Sequence, residues 1–110
     1  EKSEKAIYTP GAAFLNVMAP CPRGWRYPTE QIMDICKLAV ETCYWPLFEV
    51  IEGKWILSYS PKKKLPIEDF LRTQGRFKHL FKPENEHLLV QYQEEVDRRW
   101  EDLLFRCSKN

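Results

Sequence analysis

The stretch Ala13-Phe14-Leu15-Asn16-Val17-Met18-Ala19 is nearly uninterrupted in its apolar character, which predicts a buried strand. A strand apolar on both faces is normally covered on both sides, as in a parallel α/β sheet. Residues 1–8 are mostly polar and run into the turn signal Thr9-Pro10-Gly11, consistent with the tail of a preceding element. Beyond residue 28 the period lengthens. Ile32, Ile35, Cys36, Ala39, Val40 and Cys43 recur at helical spacing, so a helix is expected from an N-cap at Thr29 to about Cys43, ended by Pro46. The runs 47–51 and 54–59, joined at Glu52-Gly53, predict a β-hairpin. Pro66 is placed to open a short helix carrying Ile67, Phe70 and Leu71 and stopped near Gly75. From about Pro83 to Cys107 a long helix aligns Leu89, Tyr92, Val96, Trp100, Leu103, Leu104 and Cys107 in one stripe, a core or partner-facing surface.

These elements predict the α/β class. The strand, the loop after it and the first helix look like the closing unit of a larger α/β domain, followed by the hairpin and C-terminal helices. At 110 residues the chain is one domain or part of one. Hydrophobic residues at 44% and aromatics at 14% exclude a disordered tail. Because the first residue is Glu rather than Met, a fragment or cleaved subunit is expected. No basic-apolar-small leader and no run of eighteen apolar residues occurs, so neither export nor membrane spanning is expected, and the chain is placed in the cytoplasm.

Charge changes the picture only locally. The net charge is +1, but residues 61–82 hold seven Lys/Arg against two Asp/Glu, and residues 83–110 hold four against seven. A nucleic-acid binder would carry a stronger basic excess. Residues 62–64, Lys-Lys-Lys, read as a solvated loop and the basic residues from Lys62 to Lys82 as solvated surface; a face for an acidic partner or for phosphate groups is the alternative.

The four cysteines, without a leader, are read as reduced thiols. No CxxC pair occurs. Cys36 and Cys43 lie seven positions apart, about 10 Å along a helix, too far for a disulfide. Both suit a buried helix face, and Cys107 suits the stripe of the last helix. Cys21 differs from these. It stands between Pro20 and Pro22 at the end of the expected strand, where the prolines stiffen the loop and bias it toward extended geometry. A thiolate held that way suits a metal ligand; a small buried hydrophobe is the other reading.

No complete catalytic constellation is visible. His79 and His87 are the only histidines and are expected at the surface, so a His-rich metal site is excluded. Ser58, Ser60 and Ser108 lack a nucleophile-elbow setting, and the glycines are too scattered to cradle a phosphate. The carboxylate pairs Glu68-Asp69 and Glu94-Glu95 read as solvated helix surface. One thiolate cannot hold a four-cysteine iron–sulfur centre, so any such site extends beyond this chain.

Five blocks occur in order: Ala19-Pro20-Cys21-Pro22-Arg23-Gly24-Trp25, Leu38-Ala39-Val40-Glu41-Thr42, Trp45-Pro46-Leu47-Phe48-Glu49, the lysine run at 62–64, and Gln74-Gly75-Arg76-Phe77-Lys78-His79-Leu80. Together they resemble the C-terminal part of the beta subunit of 2-oxoacid:ferredoxin oxidoreductases, the family of pyruvate synthase. The resemblance implies a subunit carrying thiamine diphosphate with Mg2+ and a [4Fe-4S] cluster, with Cys21 as the fourth cluster ligand. The Gly-Asp-Gly…Asn motif for thiamine diphosphate is absent from this segment, so no residue here is assigned to that cofactor and none to catalysis.

By the same resemblance, residues 1–60 would supply the last strand, cysteine loop, helix and hairpin of the thiamine-binding domain, and residues 61–110 a helical extension packing on other subunits. The implied reaction is coenzyme A-dependent oxidative decarboxylation of a 2-oxo acid, or its reverse, with ferredoxin taking the electrons. Arg23 and Gly24 amides are expected donors toward the cluster sulfurs, with Trp25 excluding water. The competing expectation is a small non-catalytic α+β interaction domain whose segment Arg76–Lys82 binds an acidic partner or single-stranded nucleic acid. The enzyme-fragment reading predicts exposed apolar surface, because the strand at 13–19 lacks sheet neighbours.

Overall fold

A computed structural model describes residues 1–109 as a helical protein with one small sheet. In chain order the elements are α1 (Lys2–Tyr8), α2 (Pro22–Trp25), α3 (Ile32–Glu41), the hairpin β1 (Phe48–Ile51) and β2 (Lys54–Leu57), α4 (Ile67–Leu71) and α5 (Glu86–Ser108). Short 3-10 turns at Thr29–Gln31, Gly75–Phe81 and Pro83–Asn85 connect them.

The strand expected at 13–19 does not form. Residues 12–20 carry no regular structure, and Phe14 and Val17 are 88% and 79% exposed. The physical reason is the ladder: a strand needs a neighbour for its amides and carbonyls, and the sheet among the described residues contains only β1 and β2. Residues 2–8, expected as the tail of a preceding element, form the helix α1. That helix is tied to the hairpin by Lys2, which donates to the Phe48 carbonyl (3.1 Å) and Ser58 Oγ (2.7 Å), and by Lys5, which donates to Glu49 Oε1 (2.7 Å).

The third helix begins later and ends earlier than its apolar spacing suggests. Thr29 enters a 3-10 turn preceded by Pro28 rather than capping the helix, and α3 stops at Glu41. Cys43 lies at φ +62°, a left-handed conformation that ends the helix, and the Trp45 amide closes back onto the Ala39 carbonyl at 2.9 Å.

Glu52 and Gly53 both take positive φ, +52° and +78°, as a two-residue type I′ hairpin turn requires. Phe48 pairs with Leu57 and Val50 with Trp55, and the Phe48 and Trp55 rings stack at 5.4 Å. β2 packs on α5, where Arg106 covers the Trp55 ring at 4.9 Å.

One core draws on both halves of the chain: Ile35, Ala39 and Cys43 from the first, Ile67, Phe70, Leu71, Leu80, Leu89 and Val96 from the second. Leu89, Val96 and Leu103 lie at intervals of two helical turns along the inner line of α5, whereas Leu104 is exposed. The first amide of α4 has no capping side chain of its own; Gln93 Oε1 on α5 accepts from the Ile67 amide at 2.7 Å. Lys64 pairs with Asp97 and Tyr59 donates to Glu41, fastening the 59–66 connection to α5 and α3.

Candidate functional site

Cys21 is exposed and caps α2, a single turn that the flanking prolines help to set. Pro22 occupies the first helical position, where its missing N–H costs nothing and its fixed φ suits the turn. The Gly24 amide donates to Cys21 Sγ at 3.3 Å, and the Trp25 amide closes the turn on the Cys21 carbonyl at 2.8 Å. Within these residues Cys21 does not pack as a small buried hydrophobe. A sulfur that accepts a backbone N–H and keeps an open face suits a soft metal centre as a single donor.

The loop is seated on the second half of the chain. Arg26, at φ +60°, accepts at its carbonyl from the Gly75 amide (2.9 Å), and the Tyr27 hydroxyl donates to the Pro20 carbonyl (3.2 Å). The Trp25 ring meets Phe70 edge-on at 6.1 Å and Tyr27 at 6.4 Å, with the Arg76 guanidinium 4.0 Å above it. Its ring contacts are with the core platform, and the sulfur remains open, so the expected shield of Cys21 from water is not formed by this chain alone.

The other thiols behave as packing groups. Cys43 is buried, and burial pushes its thiol up from the ordinary 9.0, disfavouring the thiolate a metal needs. Cys36 and Cys107 are half-buried. Among the described residues no three His, Cys, Asp or Glu side chains gather to hold a metal ion. Cys21 therefore fits an iron–sulfur centre only as one ligand of a set completed elsewhere.

The basic stretch is not one patch. Lys64 is engaged with Asp97, Arg72 pairs with Glu68 and covers the Phe81 ring at 4.4 Å, and Arg76 is committed to Trp25 and Phe77. Lys62, Lys63, Lys78, His79 and Lys82 remain at the surface, as does His87. In the segment 76–82, Leu80 is buried and Phe77 meets Tyr92 edge-on at 6.1 Å. These side chains face the core, which removes the aromatic platform a single-stranded nucleic acid would stack upon.

An open cleft of about 970 Å3, not anticipated from the sequence, lies between the hairpin, the 75–81 turn and α5, lined in part by Tyr44, Trp55, Phe77, Tyr92 and Arg99. Burial raises the Tyr92 phenol above its ordinary 10.0. No helix among the described residues is long and apolar enough to cross a membrane.

No protein-family model matches the chain. It is 46% identical over 104 residues to the pyruvate synthase subunit PorB of Thermotoga maritima, covering 94% of this chain and 32% of that protein. This chain is homologous to part of an oxidoreductase subunit. The ketoisovalerate oxidoreductase subunit VorB of Pyrococcus furiosus is also 46% identical, over 99 residues that cover 88% of this chain and 32% of that subunit. PorB of Methanosarcina barkeri is 44% identical over 73% of this chain and 27% of its own length. The chain thus spans about a third of the length of the curated relatives it matches. An identity of 46% is thus reached by subunits named for pyruvate synthase and for ketoisovalerate oxidoreductase alike.

Proposed function

We propose that this chain is the C-terminal part of a 2-oxoacid:ferredoxin oxidoreductase beta subunit, and that Cys21 donates one of the four thiolates of a [4Fe-4S] cluster. The exposed sulfur at the cap of a proline-bounded turn, with the Gly24 amide 3.3 Å away, is the observation that carries this reading. Homology over nearly all of the chain to PorB and VorB subunits supports the family. The remaining cluster ligands, and the groups that hold thiamine diphosphate and Mg2+, belong to polypeptide outside these residues. Within the whole subunit, residues 1–60 would close the thiamine-binding domain and residues 61–110 would pack on neighbouring subunits.

When bound, thiamine diphosphate supplies the carbanion chemistry of 2-oxo acid decarboxylation, and the cluster carries single electrons toward ferredoxin. This chain's residues hold and orient. Cys21 anchors, Gly24 lends a hydrogen bond that stabilises charge on sulfur, and the Trp25 platform fixes the turn. Other subunits, ferredoxin, coenzyme A and a 2-oxo acid such as pyruvate are the partners this reading implies, in a cytoplasmic enzyme. Lys62, Lys63, Lys78 and Lys82 are the surface cations of the basic stretch that would steer an acidic partner.

The test is Cys21→Ala in the intact subunit, read by iron content, the electron paramagnetic resonance of the reduced protein and thiamine diphosphate binding. Loss of cluster iron with thiamine binding retained is expected. Full iron content with an unchanged spectrum would refute the ligand assignment.

A further inference from the structure

We propose that Gln74, Gly75 and Arg76 form the seat that sets the position of the Cys21 sulfur, acting as positioning residues for a cluster ligand far upstream in the chain; this rests on the reading of Cys21 as that ligand. Because the sulfur is exposed, no packing around it defines its place. Its position is inherited from the turn Pro22–Trp25, and the residues before it carry no regular structure. What holds the turn is therefore what holds the sulfur.

The turn is held from the 74–76 segment at two points. The Gly75 amide donates to the Arg26 carbonyl at 2.9 Å, an approach that a side chain would prevent: a Cβ on Gly75 would lie 2.8 Å from Arg26 Cβ and 3.2 Å from its carbonyl oxygen. The Arg76 guanidinium lies 4.0 Å above the Trp25 ring and 4.5 Å above Phe77, which sandwiches the cation between indole and phenyl faces. Arg76 is itself fixed, its Nε donating to Gln74 Oε1 at 2.7 Å while Gln74 Nε2 donates to the Phe70 carbonyl at 3.0 Å. Gln74 is 2% exposed, so this relay runs through the interior.

Arg76 Nη2 is buried without a hydrogen-bond partner. Leaving such a donor unmet is costly. A surface cation would turn outward and be solvated; this one gives up a hydrogen bond to keep its ring contacts. The Tyr27 hydroxyl, 3.2 Å from the Pro20 carbonyl, holds the other side of Cys21. The sulfur is thus bracketed, with its lateral freedom removed by groups that never touch it.

The experiment compares Gly75→Ala, Arg76→Ala, Arg76→Lys, Tyr27→Phe and Cys21→Ser in the intact oxidoreductase. The readouts are the line shape of the reduced cluster in electron paramagnetic resonance, the rate of iron loss in air and the thermal midpoint. Arg76→Ala and Tyr27→Phe are expected to alter the line shape and to lose iron about fivefold faster, the rate equivalent of one ordinary hydrogen bond. Arg76→Lys, which keeps a cation over the indole, should lose iron more slowly than Arg76→Ala, a rescue that loss of general stability would not produce. Should Gly75→Ala fail to fold, Tyr27→Phe still tests the bracket, because it deletes one hydroxyl only. Unchanged spectra and rates in Arg76→Ala and Tyr27→Phe, with Cys21→Ser altered, would overturn the seat alone. An unaltered Cys21→Ser would instead overturn the ligand reading.

Discussion

The contact between Trp25 and Phe70 joins the cysteine loop to the core, and its energy can be measured by a double-mutant cycle. Phe70 is fully buried and meets two rings, Trp25 edge-on at 6.1 Å and 87°, and Tyr44 at 4.5 Å and 32°. Each well-oriented aromatic pair contributes about 0.5–1.5 kcal/mol beyond the area it buries. Phe70→Leu keeps an apolar side chain but loses both pairs, so it should cost about 1–3 kcal/mol. Trp25→Leu loses the Phe70 and Tyr27 edges and the Arg76 stack, and a similar cost follows. In the double variant the shared pair is lost only once, so the two costs should fall short of additivity by about 1 kcal/mol. Urea denaturation followed by far-ultraviolet circular dichroism is the assay. With a slope of roughly 1–3 kcal/mol per molar urea, the shortfall moves the midpoint by several tenths of a molar unit. Additivity to within about 0.3 kcal/mol would refute the claim that the loop is seated through this ring pair.

Gln93→Leu should destabilise the fold by about 1–3 kcal/mol, because it leaves the Ile67 amide at the start of α4 without its acceptor; Gln93→Glu should retain most of the stability in the same urea titration, and a cost below about 0.5 kcal/mol for the Leu variant would show that the bond is dispensable. The attachment of α1 is pH-dependent. The hydrogen bond from Lys5, with burial opposing it, holds the Glu49 carboxyl below its ordinary 4.5, and the same bond raises Lys5 above its ordinary 10.5. A depressed carboxyl contributes stability above its unfolded pKa and loses it as pH falls through the folded value; a raised ammonium contributes below its unfolded pKa and loses it as pH rises through the folded value. Contact between α1 and the hairpin should therefore be firm between about pH 5 and 10 and loosen on either side. Amide exchange of α1 would report it, and an acid limb that persists in Glu49→Gln would contradict this origin.

The local elements whose chemistry is complete within a few residues were legible in the chain itself. Glu52-Gly53 between two short apolar-rich runs determined the hairpin, because only a tight turn with positive φ joins strands so close. Pro66 before Ile67, Phe70 and Leu71 determined α4, and the line Leu89, Val96, Leu103 determined the inner face of α5, since period and breakers act at short range. The stiff setting of Cys21 between its prolines was readable for the same reason, but whether the thiol is open or buried was not, because burial depends on what packs against it. Whether 13–19 becomes a strand was not, because strand identity depends on a neighbour that the apolar run does not encode; the ends of α3 likewise turned on Cys43 entering the left-handed region. Only the tertiary structure decided that the basic aromatic segment 74–77 turns inward to grip the cysteine loop. That choice follows from the burial of Gln74, the bare Cα of Gly75 against Arg26 and the stacking of Arg76 on Trp25, contacts between residues far apart in the chain that no local pattern records.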